Sequence, residues 1–188
     1  MRAIARGIQA SLRLSIFLPV LAGALATTWY GLFWSVQHFE GLTGGLRFMD
    51  IQPWLTSVEL FAQIRTYSDE AARFYLWWSM FDYAWPFVTY TAMLFITAWL
   101  FRFLPVSQQR WFVYLVTVAY LTVCLDWAEN IGFAALVVSL PDEPMWLAQT
   151  SLLLHAGKLL FNMVFNAGFW IVAVAALVGR FTGWRLNV

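Results

Sequence analysis

Apolar residues fill four long runs of the chain, and polar residues gather in the gaps between them. The runs cover about 14–37, 75–101, 111–139 and 146–179. Each reaches the ~20 residues that cross a bilayer as helix. This pattern predicts an all-α fold: a four-helix transmembrane bundle forming a single integral membrane domain over residues 1–188. The gap after the first run has an order of its own. Thr56-x-x-Glu59 has the form of a capping box, and Trp54, Val58, Phe61 and Ile64 recur at helical spacing. An amphipathic helical segment over about 54–73, lying on the outer leaflet, is expected there. Ser68-Asp69-Glu70 offers a second helix start, with a hydroxyl cap and two acids where the macrodipole favours them. Gly41, Gly44 and Gly45 mark a turn, and Pro86 is expected to kink the second span. The Pro141-Asp142-Glu143-Pro144 turn is short, so the third and fourth spans are expected to be antiparallel neighbours.

Composition agrees with this class: 62% of residues are hydrophobic and only 11% are charged, a balance foreign to soluble domains. A net charge of +1, with no long basic run, excludes nucleic acid as partner. The arginines sort by position. Arg2, Arg6, Arg13, Arg102, Arg110, Arg180 and Arg185 fall at the N-terminus, the second gap and the C-terminus, against Arg47, Arg65 and Arg73 elsewhere. The positive-inside rule then places both termini in the cytoplasm and Glu40 to Arg73 outside. A cleavable secretory signal is the competing reading of the first run, since Arg2, Arg6 and Arg13 precede an apolar stretch ending Ala24-Leu25-Ala26. Against it, the run continues through Trp29, Tyr30, Leu32, Phe33 and Trp34. Tryptophans at the run ends, among them Trp29, Trp34, Trp54, Trp77, Trp78, Trp111, Trp146 and Trp184, fit interfacial belts. The single cysteine, Cys124, is expected to pack as a small core residue.

Five ionisable residues interrupt the apolar runs: Asp82, Asp126, Glu129, His155 and Lys158. A charge at the bilayer centre costs at least about 2.5 kcal/mol, so such residues are expected to face the bundle interior and one another. At about 1.5 Å of rise per residue, Asp82 and Asp126 fall at similar depths, roughly 9 and 8 Å from the outer surface. Asp126 with Glu129 and Asn130, Asp82 with Pro86 and Tyr90, and His155 with Lys158 and Asn162 each form one helical stripe. Asn162 and Asn166 extend the last stripe into a polar track toward the cytoplasmic side. Three carboxyl groups face one lysine and one histidine, so at least one acid is expected to hold a proton at neutral pH. Two readings stay open. The stripes either fix helix register as interhelical polar contacts, or they form an acid–base site. The two histidines, His38 and His155, have no metal-ligand spacing, and neither metal nor cofactor is expected.

The motifs Asp82-x-x-x-Pro86-x-x-x-Tyr90, Asp126-x-x-Glu129-Asn130 and Lys158, with Glu70-x-x-Arg73-x-Tyr75 ahead of the second run, resemble a group of small bacterial four-span membrane proteins of uncharacterised activity. The resemblance covers residues 50–165 and implies a bacterial inner-membrane location and a shared polar site. Size, layout and buried acids are also similar to the emopamil-binding and sigma-2 receptor superfamily, whose members bind or isomerise sterols; that likeness is architectural. The leading expectation is a pocket for a lipid or isoprenoid-like molecule. Asp126, Glu129 and Lys158 are its candidate catalytic residues, and Asp82, Tyr90, Asn130, His155 and Asn162 are its candidate ligand contacts. Phe81, Tyr83, Trp85, Trp127 and Phe133, beside those stripes, are candidate walls. Two other classes fit the same acids: a proton- or ion-coupled transporter working as a homodimer, and an accessory subunit bound to a membrane-protein partner.

Overall fold

The computed structural model describes residues 2–10, 14–105 and 108–182. Arg13, Trp184 and Arg185, used above in the charge and belt patterns, lie outside the described residues. Among the described residues all regular structure is helical, in an all-α bundle with four segments long and apolar enough to cross a membrane: Ser15–Thr43, Asp69–Phe103, Arg110–Ser139 and Met145–Phe181.

The N-terminal helix α1 (Arg2–Ala10) is short, and it buries Ala5 and Ile8 against α6 and α7. The first long segment joins α2 (Leu14–Thr28) to α3 (Val36–Thr43) through a π-helical stretch, Trp29–Ser35. Inside that stretch the Ser35 hydroxyl donates to the Tyr30 carbonyl five residues back, at 3.2 Å. The segment ends at Gly44 and Gly45, whose φ angles of 71° and 108° favour residues without a Cβ.

The expected segment over 54–73 resolves into a short helix and a turn. Helix α4 (Ser57–Ile64) opens with the anticipated capping box: the Thr56 hydroxyl accepts from Glu59 N at 3.3 Å, and the Glu59 carboxylate accepts from Thr56 N at 2.8 Å. These bonds hold the exposed Glu59 carboxyl below its usual range. The helix is amphipathic, and its inner face packs on protein. Leu60, Phe61, Gln63 and Ile64 are buried, while Val58 and Trp54 remain exposed. Phe61 and Ile64 thus belong to a different face from the other two members of the anticipated stripe.

The second long segment begins at α5 (Asp69–Asp82), capped by the Ser68 hydroxyl, and continues as α6 (Ala84–Leu100). The helical ladder is interrupted at Tyr83, between α5 and α6 and not at Pro86 itself, while the Tyr83 backbone keeps helical angles (φ −69°, ψ −34°). Pro86 lacks an N–H for the Asp82 carbonyl and its ring crowds that carbonyl, so the ladder breaks one turn earlier. Trp127 Nε1 donates to the Tyr83 carbonyl at the break, at 2.8 Å.

Helices α7 (Arg110–Ser139) and α8 (Met145–Thr182) pack along most of their length as the expected antiparallel pair. α6 lies against both, over a shorter stretch of α8, and α2 lies against α6. Two apolar clusters hold the bundle. One, around Phe39, Phe48, Phe61, Tyr75, Trp78 and Phe133, sits at the end carrying the α3–α5 connection; we call this the capped end. The other, around Phe95, Phe101, Phe112, Val116 and Phe165, sits at the end carrying α1. Arg65 forms a two-pronged ion pair with Glu143 in the α7–α8 turn, tying the capped end across its surface.

Two expectations are corrected. Trp78 is buried core and not part of an interfacial belt. Cys124 is exposed on the outside of α7. The inward face of α7 runs through Ala119, Val123, Asp126, Glu129 and Phe133, and position 124 lies away from it.

α7 and α8 approach closely at Gly132, where an added Cβ would stand 2.1 Å from Ser151 Oγ and 3.1 Å from Ser151 Cβ. Gly132→Ala is therefore expected to destabilise the protein by about 1–3 kcal/mol, read as a fall in melting temperature in mild detergent. Adding Ser151→Gly should recover much of the loss. No recovery would mean that Gly132 matters for another reason.

Candidate functional site

Between the two apolar clusters, the polar stripes of α5, α7 and α8 meet. Their centre is Lys158. Its ammonium lies 2.9 Å from Glu129 Oε1 and 2.8 Å from Oε2, 3.1 Å from Asp126 Oδ1, and 3.2 Å from the backbone carbonyl of Asp50. An ammonium has three donors, so these three residues saturate it. Asn130 spends its two amide hydrogens in the same way, donating to Asp82 Oδ2 at 2.8 Å and to Asp126 Oδ2 at 3.3 Å. His155 Nδ1 lies 2.8 Å from Glu129 Oε1, and its ring stands 6.2 Å from that of Phe133. All six side chains are buried, and Glu129 has no exposure at all.

The helices explain this convergence. Asp126, Glu129 and Asn130 share one face of α7 by their spacing, and His155 and Lys158 share one face of α8. α5 ends at Asp82, which stands level with Asn130 and accepts its hydrogen bond. Farther along α6 and α8, Tyr90 Oη donates to Asn162 Oδ1 at 2.7 Å, and Asn166 Nδ2 donates to the same oxygen at 2.7 Å. This second group continues toward the α1 end, as the polar track anticipates.

A cavity of about 330 Å³ joins the two groups. Asp82, Asp126, Lys158, Asn162 and Asn166 give it a polar side, and Ile51, Trp85, Pro86, Met93 and Leu159 give it apolar walls. Tyr90, Thr89, Thr122 and Asp50 complete the lining. The anticipated site residues therefore divide. Asp82, Tyr90, Asp126, Lys158 and Asn162 face the cavity. Glu129, Asn130 and His155 lie behind it and act on it only through Lys158, Asp82 and Asp126. Of the five aromatic residues considered as walls, Trp85 alone lines it. Phe133 packs in the capped-end cluster, Phe81 meets Tyr30 edge to face and stacks on Trp77, and Tyr83 pairs with Trp127.

One member was not anticipated. Asp50 sits on a 3-10 turn, Met49–Ile51, that folds back from the α3–α4 connection into the bundle, and its side chain is buried. Trp78 Nε1 donates to Asp50 Oδ2 at 3.4 Å. Burial pushes the Asp50 carboxyl above its usual range, an effect that nearby Lys158 opposes and Glu129 reinforces. The signal for Asp50 was Phe48-Met49-Asp50-Ile51 itself, an acid among large apolar residues within a connection rich in turn residues.

Four carboxyl groups thus surround one lysine and one histidine. Three buried oxygens beside the cavity lack a hydrogen-bond partner: Asp50 Oδ1, Asp82 Oδ1 and Thr89 Oγ1. No trio of His, Cys, Asp or Glu side chains among the described residues is arranged to hold a metal ion, and Lys158 Nζ occupies the point where the acids converge.

Comparison with protein-family models, with curated proteins and with solved structures found no match.

Removing the central cation leaves Asp126 and Glu129 buried and uncompensated. Lys158→Met is expected to destabilise the fold by about 3–5 kcal/mol, measured by thermal unfolding in detergent. Adding Asp126→Asn and Glu129→Gln to the same chain should restore most of it, since the charges then vanish together. A Lys158→Met protein as stable as wild type would show that the lysine does not hold the acids.

Proposed function

We propose that the protein is an integral membrane protein whose intrabundle cavity binds a hydrophobic molecule, a lipid or isoprenoid-like chain, with its polar head at the Asp82, Asp126 and Lys158 side. The observation that carries this reading is the cavity itself, with ionisable groups on one side and apolar walls on the other. A volume near the lower end of the range for small-molecule pockets suits one chain and a compact head. Asp126 is the acid placed for proton exchange with a ligand, because it lines the cavity and touches Lys158. Glu129 and His155 are positioning residues, holding the lysine from behind.

The reading extends to orientation. Arg102, Arg110 and Arg180 lie at the α1 end and Arg47 and Arg65 at the capped end. Under the positive-inside rule this supports an orientation with both termini cytoplasmic, and the sequence resemblance adds the bacterial inner membrane as the location. In intact cells, a cysteine introduced at exposed Glu70 of a Cys124→Ala background should react with a membrane-impermeant maleimide. One at Arg2 should not; the reverse pattern would overturn the orientation.

Lipid mass spectrometry on protein purified in mild detergent tests the pocket. Wild type should retain one specific molecule, and Leu159→Trp, which fills the cavity, should lose it while melting at a similar temperature. In Asp126→Asn the molecule should be retained but chemically altered if proton exchange occurs there. Equal bulk phospholipid in wild type and Leu159→Trp would refute the pocket and turn attention to an accessory role beside a membrane-protein partner.

A further inference from the structure

The cavity has an unmatched side. Lys158, the basic residue that lines it, is saturated by Glu129, Asp126 and the Asp50 carbonyl. Asn130 is likewise spent on Asp82 and Asp126. What remains are acceptors. Asp50 and Asp82 are 95% or more buried, each keeps one carboxyl oxygen without a partner, and both residues line the cavity with Thr89, whose hydroxyl is also unpartnered. Buried polar atoms left unpaired are costly, and an acid without its donors is costlier still. The missing complement is a positively charged group that carries several hydrogens. A fully hydrated inorganic cation fits poorly against the Trp85, Pro86 and Met93 walls, whereas a head joined to an apolar chain matches both sides.

Resting on the cavity reading above, we propose that the ligand's head is a primary ammonium, borne by a single-chain amphiphile, that donates to Asp50, Asp82 and Thr89. The attached chain runs along Trp85, Met93 and Leu159. Lys158 has no direct part in recognition. It neutralises Asp126 and Glu129, so that Asp50 and Asp82 are the acids left to pair with the ammonium charge, and Asp126 stands beside the head. The head must carry N–H groups, because the two carboxylate oxygens only accept, and the Thr89 hydroxyl, which can donate as well as accept, has a single hydrogen to offer. A quaternary ammonium offers charge and no donor, and an alcohol offers one donor and no charge.

The test is titration of the full-length protein in mild detergent with dodecylamine, dodecyltrimethylammonium and dodecanol, read by native mass spectrometry and thermal shift. Sodium, potassium and choline chlorides are titrated alongside. Dodecylamine is expected to bind one per chain, at least about tenfold tighter than the other two amphiphiles. Asp50→Asn and Asp82→Asn keep the carbonyl oxygen that accepts from Trp78 or Asn130, so the fold should survive. Each should weaken dodecylamine by about tenfold and leave dodecanol unchanged. Thr89→Val, which touches no charge, should give a smaller loss and serves if an Asn variant fails to fold. Equal binding of amine and alcohol, unaffected in these variants, would overturn the ammonium head while leaving the cavity reading intact. Equal binding of the quaternary amphiphile would overturn the donor argument. Sodium or potassium stabilising the protein as strongly, and displacing the amine, would replace the proposal with an inorganic cation. If no amphiphile binds saturably and Leu159→Trp retains the same lipids as wild type, the cavity reading falls with the proposal.

Discussion

The structure depends on the environment of one ammonium group. Lys158 stands in the middle of an apolar bundle, and a lone cation there would be strongly unfavourable. Its three donors reach a carboxylate on α7, a second carboxylate three residues away on the same helix, and a backbone carbonyl from the α3–α4 connection. These contacts fix how far α8 can slide or turn against α7, and they require the Met49–Ile51 turn to enter the bundle. Asp126 passes the constraint on to α5, because Asn130 bridges it to Asp82. A single charge thus sets the register of three helices and one connection.

Apolar packing on either side keeps this polar centre together. The capped-end aromatic cluster, with Phe39 stacked on Phe48 and Phe48 on Trp78, presses the Met49–Ile51 turn inward. At the other end, Phe101 and Phe112 meet edge to face, and α1 lies over them. Between the clusters the helix is interrupted at Tyr83, and the cavity lies beside the start of α6, lined by Trp85, Pro86, Thr89, Tyr90 and Met93. The polar groups have specific partners, and the apolar groups give the volume in which those partners meet.

Much of this was legible in the sequence, and the parts that were not share a physical cause. The four long apolar runs, the Thr56–Glu59 capping box, the Ser68 cap and the meeting of Asp82, Asp126, Asn130 and Lys158 all follow from length, local chemistry and helical spacing. Cys124 and Trp78 were misread because helix faces turned to lipid and faces turned to the core are equally apolar. Hydrophobicity then carries no sense of inside and outside, and only polar and small residues such as Gly132 report the inner face. Asp50 was missed for the opposite reason. It lies in a connection, where an acid is normally solvated, and only the fold of that connection brings it under Trp78. The division of the site residues into those facing the cavity and those behind it was also hidden, since Asp126 and Glu129 are less than one helical turn apart.

The short turn between α7 and α8 bears on how the chain enters a bilayer. Inserted singly, α8 would carry Lys158 and His155 into hydrocarbon without partners, and α7 would carry Asp126 and Glu129. Joined by Leu140–Pro144, the two helices bring these groups within 3.1 Å of one another. Each then removes most of the other's barrier. The same contacts that set the register of the pair would thus lower the cost of its entry as a hairpin.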